Sequence, residues 1–170
     1  MNVIKVIRDE DFGLDNPVPK NYKERKASRS IVFDENRHVA LLHVTKKNYH
    51  KLPGGGMEKG EEISETLERE LFEEIGCSVK DVRELGIIEE YRNKLELHQI
   101  SYCFLANLIG DKGTPHFKDD EIDDGFKITW MDIRDAIRTL ESEINTRDYR
   151  DKFICLRDLI LLKEAVKVYK

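Results

Sequence analysis

The chain has 170 residues, a length that suits a single domain over residues 1–170 and leaves little room for a second. Its content of 39% hydrophobic and 37% charged residues is typical of a globular protein with a modest core. The net charge of −5 argues against a protein that binds a nucleic acid polymer by its phosphates, because such proteins are usually basic.

The sequence contains neither a membrane span nor a secretory signal. No run approaches 18 consecutive apolar residues, and the first ten residues mix Val and Ile with charged side chains. We therefore expect a cytoplasmic protein that does not enter membranes. Cys77, Cys103 and Cys155 are odd in number and far apart, which fits neither a disulfide framework nor a paired-thiol zinc site. They are expected to be buried as small hydrophobic residues.

The first half of the chain predicts strands separated by turns. Residues 3–7 form a short strand candidate, and the loop at 13–21 contains two prolines and two asparagines. Residues 30–33 and 39–44 are then predicted as strands that flank a turn at 34–36.

Helical periodicity begins after this strand pair and alternates with further strands. Between Ile63 and Ile75 the apolar residues recur every four positions, and Gly76 follows where a left-handed helix end is favoured. Further strands are predicted at 82–91, 99–108 and 126–131. Asp132 is a candidate N-cap for the next helix, and a last helix is expected over roughly 150–168. Strands mixed with helices indicate a layered α/β domain.

An acidic face on the first helix is the strongest chemical feature of the sequence. At 100° per residue, Glu73 and Glu74 lie about 60° and 40° to either side of Glu70. Three carboxylates this close repel one another unless a cation compensates, and Mg²⁺ prefers such oxygen ligands. The preceding Gly54, Gly55 and Gly56 predict a tight loop whose backbone can approach a metal or a phosphate.

Residues 55–77 together resemble the Nudix box, a signature of metal-dependent phosphohydrolases. Its fixed positions are filled by Gly55, Glu61, Arg69, Glu70, Glu73, Glu74 and Gly76. Leu71 takes the first hydrophobic position, and Cys77 takes the last, where Ile, Leu or Val is usual. The alternative interpretation, a solvated glutamate-rich helix after a glycine turn, explains the glutamates but not the glycines and the arginine at these spacings.

The resemblance implies a fold and a reaction. Nudix proteins have an α/β (α+β) fold, in which a mixed β-sheet is sandwiched between helices and the box forms a loop–helix–loop. They use Mg²⁺, or Mn²⁺ in its place, to hydrolyse a nucleoside diphosphate linked to another group. The resemblance implies that Glu70, Glu73, Glu74 and the carbonyl of Gly54 bind the metal.

The resemblance also suggests roles for other side chains. Either Glu70 or a carboxylate outside the box would orient or deprotonate the attacking water, and Arg69 would pair with a box carboxylate. Glu61 would fix the loop or bind a metal through water. Among later acidic residues Asp119, Asp120 and Glu121, we favour Glu121 by its position, although a solvated acidic loop explains each of them equally well.

Substrate-binding residues are sought around the box. Gly55 and Gly56 would present backbone to a phosphate, and Lys46 or Lys47 ends a strand just before the box loop. Tyr49 and Tyr91 either stack on a base or pack in the fold. A basic run either steers anions or forms an ordinary exposed segment; it consists of Lys20, Lys23, Arg25, Lys26 and Arg29.

The substrate is inferred by elimination among Nudix groups. The chain has no proline between Pro53 and Pro115, where ADP-ribose-specific members tend to carry one, and it lacks the NADH-specific signature. The remaining resemblance is to MutT-like enzymes, which convert a (d)NTP or an oxidised (d)NTP to a nucleoside monophosphate and pyrophosphate. Alternatives are hydrolysis of ADP-ribose or another nucleoside diphosphate derivative, a non-catalytic nucleotide sensor, and an interaction role for the acidic helix. Both a monomer and a homodimer are compatible with the sequence.

Overall fold

A mixed seven-stranded β-sheet organises the computed structural model, which describes residues 1–146 and 148–168. In chain order its elements are β1 (Val3–Arg8), β2 (Lys23–Phe33), β3 (His38–Val44), β4 (Tyr49–Lys51), α1 (Ile63–Ile75), β5 (Val79–Arg92), β6 (Leu97–Leu108), α2 (Asp119–Asp123), β7 (Phe126–Asp132), α3 (Ile133–Glu143) and α4 (Tyr149–Val168). The strand order is β1-β5-β6-β2-β3-β4, and β7 pairs with β3. The pairs β1–β5 and β2–β6 are parallel, whereas the other pairs are antiparallel.

Helices cover both faces of this sheet, which confirms the expected layered α/β arrangement. Along β2, Ile31 and Phe33 point to one face and Val32 to the other, because successive side chains alternate. Ile31 and Phe33 share the main core with residues of α3 and α4, such as Leu140 and Phe153. Val32 instead packs in a second core with residues of α1. The box helix and the C-terminal helix therefore lie on opposite faces.

The glycine-rich loop fills a gap where β2 and β3 diverge. These two strands pair only at Phe33 and Val39, and the loop that follows β4 runs along the freed edge of β2. Pro53 O accepts from Ser30 N at 3.0 Å, and Gly55 O accepts from Ser28 N at 3.0 Å. Further along, Met57 N donates to Lys26 O at 3.0 Å. The loop is thus held as an irregular strand of the sheet.

A buried ion pair on α4 also holds this loop. Asp158 is fully buried, and its Oδ1 accepts from Arg157 Nε at 2.7 Å. Its Oδ2 accepts from the backbone of Leu52 at 2.8 Å. Both acceptor atoms of this carboxylate are therefore engaged, which offsets the cost of removing its charge from water. The C-terminal helix fixes the start of the glycine loop through this side chain.

Most of the predicted elements are confirmed, with one informative correction. Strand β2 begins at Lys23 rather than at residue 30, because it pairs with β6 from Lys23 to Phe33, and it contains every member of the basic run except Lys20. The interpretation of that run as an ordinary exposed segment is therefore wrong for Arg29, which is buried. The short elements β4 and α2 were not predicted.

The remaining expectations on the fold agree with the structure. Residues 13–21 are irregular, Asp132 caps α3 by accepting from Arg134 N, and the three cysteines are buried and form no disulfide. Among the described residues, no helix is long and apolar enough to cross a membrane.

Replacing Asp158 by Ala should lower the free energy of unfolding by about 3–5 kcal/mol, because it breaks a buried ion pair and leaves Arg157 Nε and the Leu52 N–H buried without their acceptor. Denaturant unfolding measures this change. Asp135→Ala, which removes an exposed carboxylate paired with Arg138, serves as the control and should cost no more than about 1 kcal/mol. Equal costs for the two variants would contradict the anchoring role of Asp158.

Candidate active site

Helix α1 presents its acidic face beside the glycine loop, as the helical spacing predicts. Glu70 and Glu74 are 5% and 1% exposed, whereas Glu73 is half-buried. The helix packs through four other buried side chains, Thr66, Leu67, Leu71 and Ile75. The carboxylates of Glu70 and Glu74 meanwhile lie against the glycine loop. The helix ends at Gly76, which has the left-handed conformation expected from the sequence.

Two glycines let the carboxylates approach the loop. A Cβ on Gly55 would lie 2.2 Å from Glu70 Oε1, so a side chain at this position would displace that carboxylate. Gly54 has a φ of +131°, and a Cβ there would lie 2.2 Å from the carbonyl oxygen of Ser28. Glycine at 54 therefore permits both the backbone conformation and the close contact with β2.

Arg69 connects the start and the middle of the box, and its pairing with box carboxylates agrees with the role implied by the resemblance. Its Nε and Nη2 donate to the two oxygens of Glu61 at 2.6 and 3.0 Å, a bidentate arrangement that fixes the plane of both groups. Its Nη1 donates to Glu70 at 2.7 Å and to Glu73 at 3.2 Å. The same guanidinium reaches the carbonyl of Gly56 at 3.1 Å. Hydrogen bonds from Arg69 hold the pKa of the Glu61 carboxyl at about 2.

Glu73 and Glu74 also have lysine partners from outside the box. Lys51 Nζ lies 2.8 Å from Glu74 Oε1, and Gly54 N donates to Glu74 Oε2 at 2.6 Å. Lys118 Nζ lies 3.0 Å from Glu73 Oε2. Burial raises the pKa of the Glu74 carboxyl to about 7, although Lys51 acts in the opposite direction. Sequence reasoning identified neither lysine.

The donor set around α1 fits a hard divalent cation in its chemistry. The loop carbonyls of Pro53 and Gly55 accept bonds from β2, but the Gly54 carbonyl between them accepts none from any described residue. This oxygen and the carboxylates of Glu70, Glu73 and Glu74 are the ligand type that Mg²⁺ prefers. Within the described ranges no three acidic, His or Cys side chains already converge on one point. Binding would therefore require a rearrangement of these carboxylates, whose oxygens contact Arg69, Lys51 and Lys118.

A cleft of about 710 Å³ opens between the glycine loop, the sheet and α4. Glu70 and Glu74 lie in its wall beside the loop. The wall also carries eight basic side chains, namely Arg25, Arg29, Lys47, Lys51, Arg92, Lys118, Arg150 and Arg157. Acidic groups that could hold a cation and basic groups that attract an anion thus meet in one cavity of an acidic protein.

Most of these basic residues could not be grouped from the sequence, because they lie far apart in the chain. Only Arg25, Arg29 and Lys47 were noted, whereas Arg92 and Arg157 were not. One signal was available: Arg157 and Asp158 interrupt an apolar stretch of the last helix, where unpaired charges would be costly.

Some of the other predicted site residues line the cleft and some do not. Glu121 lines the cleft, where its side chain accepts from Lys118 N at 2.9 Å, so its catalytic role stays a prediction. Lys46 is exposed, and its neighbour Lys47 lines the cleft and pairs with Asp124 at 2.6 Å. Tyr49 is buried in a small core and also lines the cleft. Tyr91 stacks on His98, whose ring centroid is 4.2 Å away, and neither is among the residues that line the cleft.

The raised pKa of Glu74 predicts a pH dependence of stability in metal-free protein. Between about pH 4.5 and pH 7 the folded state holds a proton on Glu74 that the unfolded state releases, so stability should fall as pH rises, by up to about 3 kcal/mol. Denaturant unfolding in EDTA from pH 5 to 8 tests this. Glu74→Gln should show a flatter profile, and identical profiles would exclude the effect.

Comparison with known proteins agrees with this geometry. Residues 23–153 match the NUDIX domain family model. The chain is 30% identical over 126 residues to mouse diphosphoinositol polyphosphate phosphohydrolase 3-alpha and 29% identical to human diphosphoinositol polyphosphate phosphohydrolase 3-beta, covering 72% of each chain. The solved structure of a MutT protein from Bacillus halodurans is similar with a TM-score of 0.50 and 25% identity, over 68% of this chain and 72% of that one. The chain therefore belongs to the Nudix hydrolase family.

Proposed function

We propose that this enzyme hydrolyses a phosphoanhydride bond in a small, highly anionic substrate, with Mg²⁺ as cofactor and Mn²⁺ as a possible substitute. The observation that carries the proposal is the cleft in which Glu70 and Glu74 lie beside eight basic side chains. A phosphoanhydride needs both groups, because its phosphates must be neutralised and a water must be activated against them.

The reaction assigns a task to each part of the cleft. When Mg²⁺ is bound, it offsets phosphate charge and lowers the pKa of a water ligand. Water forms a bond to phosphorus, the bridging P–O bond breaks, and its electron pair leaves with the departing phosphate. The proton of the water goes to Glu70 or, from outside the box, to Glu121. Arg69 keeps Glu61, Glu70 and Glu73 in place through its hydrogen bonds.

Two substrate classes are supported by different observations. The similar proteins named as diphosphoinositol polyphosphate phosphohydrolases and the excess of basic groups in the cleft favour a diphosphate on a polyphosphorylated small molecule. The similarity to a MutT protein favours the nucleoside triphosphate inferred from the sequence. We propose the first class as the main substrate and MutT-like hydrolysis of a (d)NTP as the second candidate.

A substrate panel separates these candidates. The purified protein is assayed for phosphate and pyrophosphate release from diphosphoinositol polyphosphates, dNTPs and ADP-ribose, with Mg²⁺ and with EDTA. Metal-dependent phosphate release from the first group supports the proposal, and pyrophosphate release from dNTPs alone selects the second candidate. Tight binding of a substrate without turnover would identify a sensor instead.

Glu70→Gln should lower kcat by about 10²–10⁴-fold while the protein stays folded, because the amide loses the charge and basicity of the carboxylate. Steady-state assays and a thermal melt measure both properties. Glu68→Gln, an exposed change on the same helix, is the control and should keep full activity. Near-normal turnover by Glu70→Gln would exclude a catalytic or metal-binding role for this residue.

Gly55→Ala should lower kcat by at least about tenfold, since its methyl group displaces the Glu70 carboxylate. Gly110→Ala is the control, because its Cβ would meet no atom within 4 Å. Its φ of +68° costs an alanine some stability, but the turnover of the folded protein should be unchanged. If Gly55→Ala is as active as the wild type, the close contact between loop and carboxylate has no part in the reaction.

A further inference from the structure

The cleft wall opposite the acidic helix is a face of the sheet that carries arginines instead of apolar residues. Along β2 the side chains of Ile31 and Phe33 belong to the core. Arg25 and Arg29, nearer the start of the strand, lie on the same face. On β5 the same change occurs from Ile88 to Glu90 and Arg92. The sheet thus turns from apolar to charged where it forms the cleft.

A chain of hydrogen bonds joins these side chains across three strands and α4. Arg25 Nη1 donates to Gln99 Oε1 at 2.7 Å, and Gln99 Nε2 donates to Glu90 Oε2 at 2.9 Å. Glu90 also receives bonds from Arg92 at 2.8 Å and from Arg157 at 3.4 Å. Glu90 and Arg157 are both 1% exposed or less. These residues form a fixed, mostly buried network.

The network has more positive charge than its own carboxylates neutralise. Within the network, the carboxylates of Glu90 and Asp158 face four arginines, namely Arg25, Arg29, Arg92 and Arg157. Outside the network, Glu70 and Glu74 on α1 add negative charge near Arg25 and Arg29. Arg29 is 7% exposed, and within the described residues its one hydrogen bond is from Nη1 to the carbonyl of Ser28. The Nε atoms of Arg29 and Arg92 are buried without a partner. Burial next to Arg157 lowers the pKa of Arg29 to about 10.

Fold stability alone does not account for this arrangement. A buried charge without a partner costs free energy, and an apolar side chain of similar size is often neutral or stabilising in its place. Arg29 lines the cleft, so an anion that enters can supply the missing partner. Guanidinium groups suit phosphate in particular, because their fixed donors match its oxygens.

We propose that Arg25, Arg29 and Arg92 form a subsite for a phosphate group of the substrate that is not part of the bond being cleaved. This inference rests on the proposed function, since it names a second recognition element in the same cleft. The glycine loop and α1 hold the diphosphate, and the arginine wall binds a phosphomonoester elsewhere on the molecule. A phosphorylated polyol and a nucleotide with a separate sugar phosphate both have this chemistry.

Binding without metal tests the subsite independently of turnover. Titration calorimetry in EDTA uses inositol hexakisphosphate, adenosine 3′,5′-bisphosphate and, as a ligand without a separate phosphomonoester, ADP. Arg25→Gln and Arg29→Met should each weaken binding of the preferred probe by about 10–100-fold and that of ADP by less than about threefold. Arg134→Gln, an exposed change of the same charge outside the cleft, should leave binding unchanged.

The melting temperatures distinguish a binding role from a structural one. Arg29→Met should melt at the wild-type temperature or above it, because the change removes an unpaired buried charge. A lower melting temperature together with unchanged binding would assign Arg29 to the fold and overturn the proposal for that residue. Arg25 has an exposed side chain, so Arg25→Gln tests the subsite without a large risk of unfolding.

Each outcome separates the subsite from the proposed function. Arginine-dependent binding of inositol hexakisphosphate indicates a polyol substrate, and that of the adenosine bisphosphate indicates a nucleotide. The subsite is overturned if binding weakens equally in Arg25→Gln, Arg29→Met and the control Arg134→Gln, or if neither phosphomonoester probe binds. If hydrolysis fails on the whole panel while arginine-dependent binding remains, the proposed function is wrong and the subsite stands.

Discussion

The hydrogen bonds between β2 and the glycine loop determine where the groups of the candidate active site lie. Because β2 and β3 pair only at Phe33 and Val39, residues after Lys51 can take the free edge of β2 and become part of the sheet. This position brings Gly55 against Glu70 and the N–H of Gly54 against Glu74. It also sets the distance from these carboxylates to the face of β2 that carries Arg29. The loop is shaped less by its own flexibility than by the strand that it pairs with.

The buried charged groups around this loop differ in how completely their polar atoms are hydrogen-bonded. Asp158 has a partner for each oxygen and connects α4 to the loop, so it contributes to the fold. Arg29 and Arg92 each leave a buried Nε without a partner. Both oxygens of Glu74 have partners, yet burial raises its pKa to about 7. Buried polar atoms without a hydrogen-bond partner, such as these two Nε atoms, are the ones that a ligand can satisfy. Stability given up at such positions is a common feature of functional sites.

The sequence predicted the elements whose information is local and missed those that depend on distant pairing. The helix at 63–75 and its end at Gly76 follow from apolar spacing and a glycine, and the acidic face follows from the same periodicity. The start of β2 at Lys23 could not be predicted in this way, because those charged residues become a strand only through β6 on one side and the glycine loop on the other. For the same reason the arginine wall was missed: Arg29, Arg92 and Arg157 meet only in the folded sheet. Glu121 was placed by position, and the structure puts it in the cleft without testing its role.

The division between the box and the sheet face would explain how an acidic protein selects the polyanion that we propose as its substrate. The box supplies carboxylates on α1, and their geometry depends on Arg69 and the glycine loop. The arginines of the cleft come from β2, β5 and α4, which belong to the sheet and to its opposite helical layer. A change at Arg25 therefore alters the anion-binding wall while the carboxylates keep their supports. In our proposal, hydrolysis depends on α1 and the glycine loop, and substrate specificity depends on the arginines of the sheet face. The hydrogen bonds between the glycine loop and β2 fix the position of these two parts relative to each other.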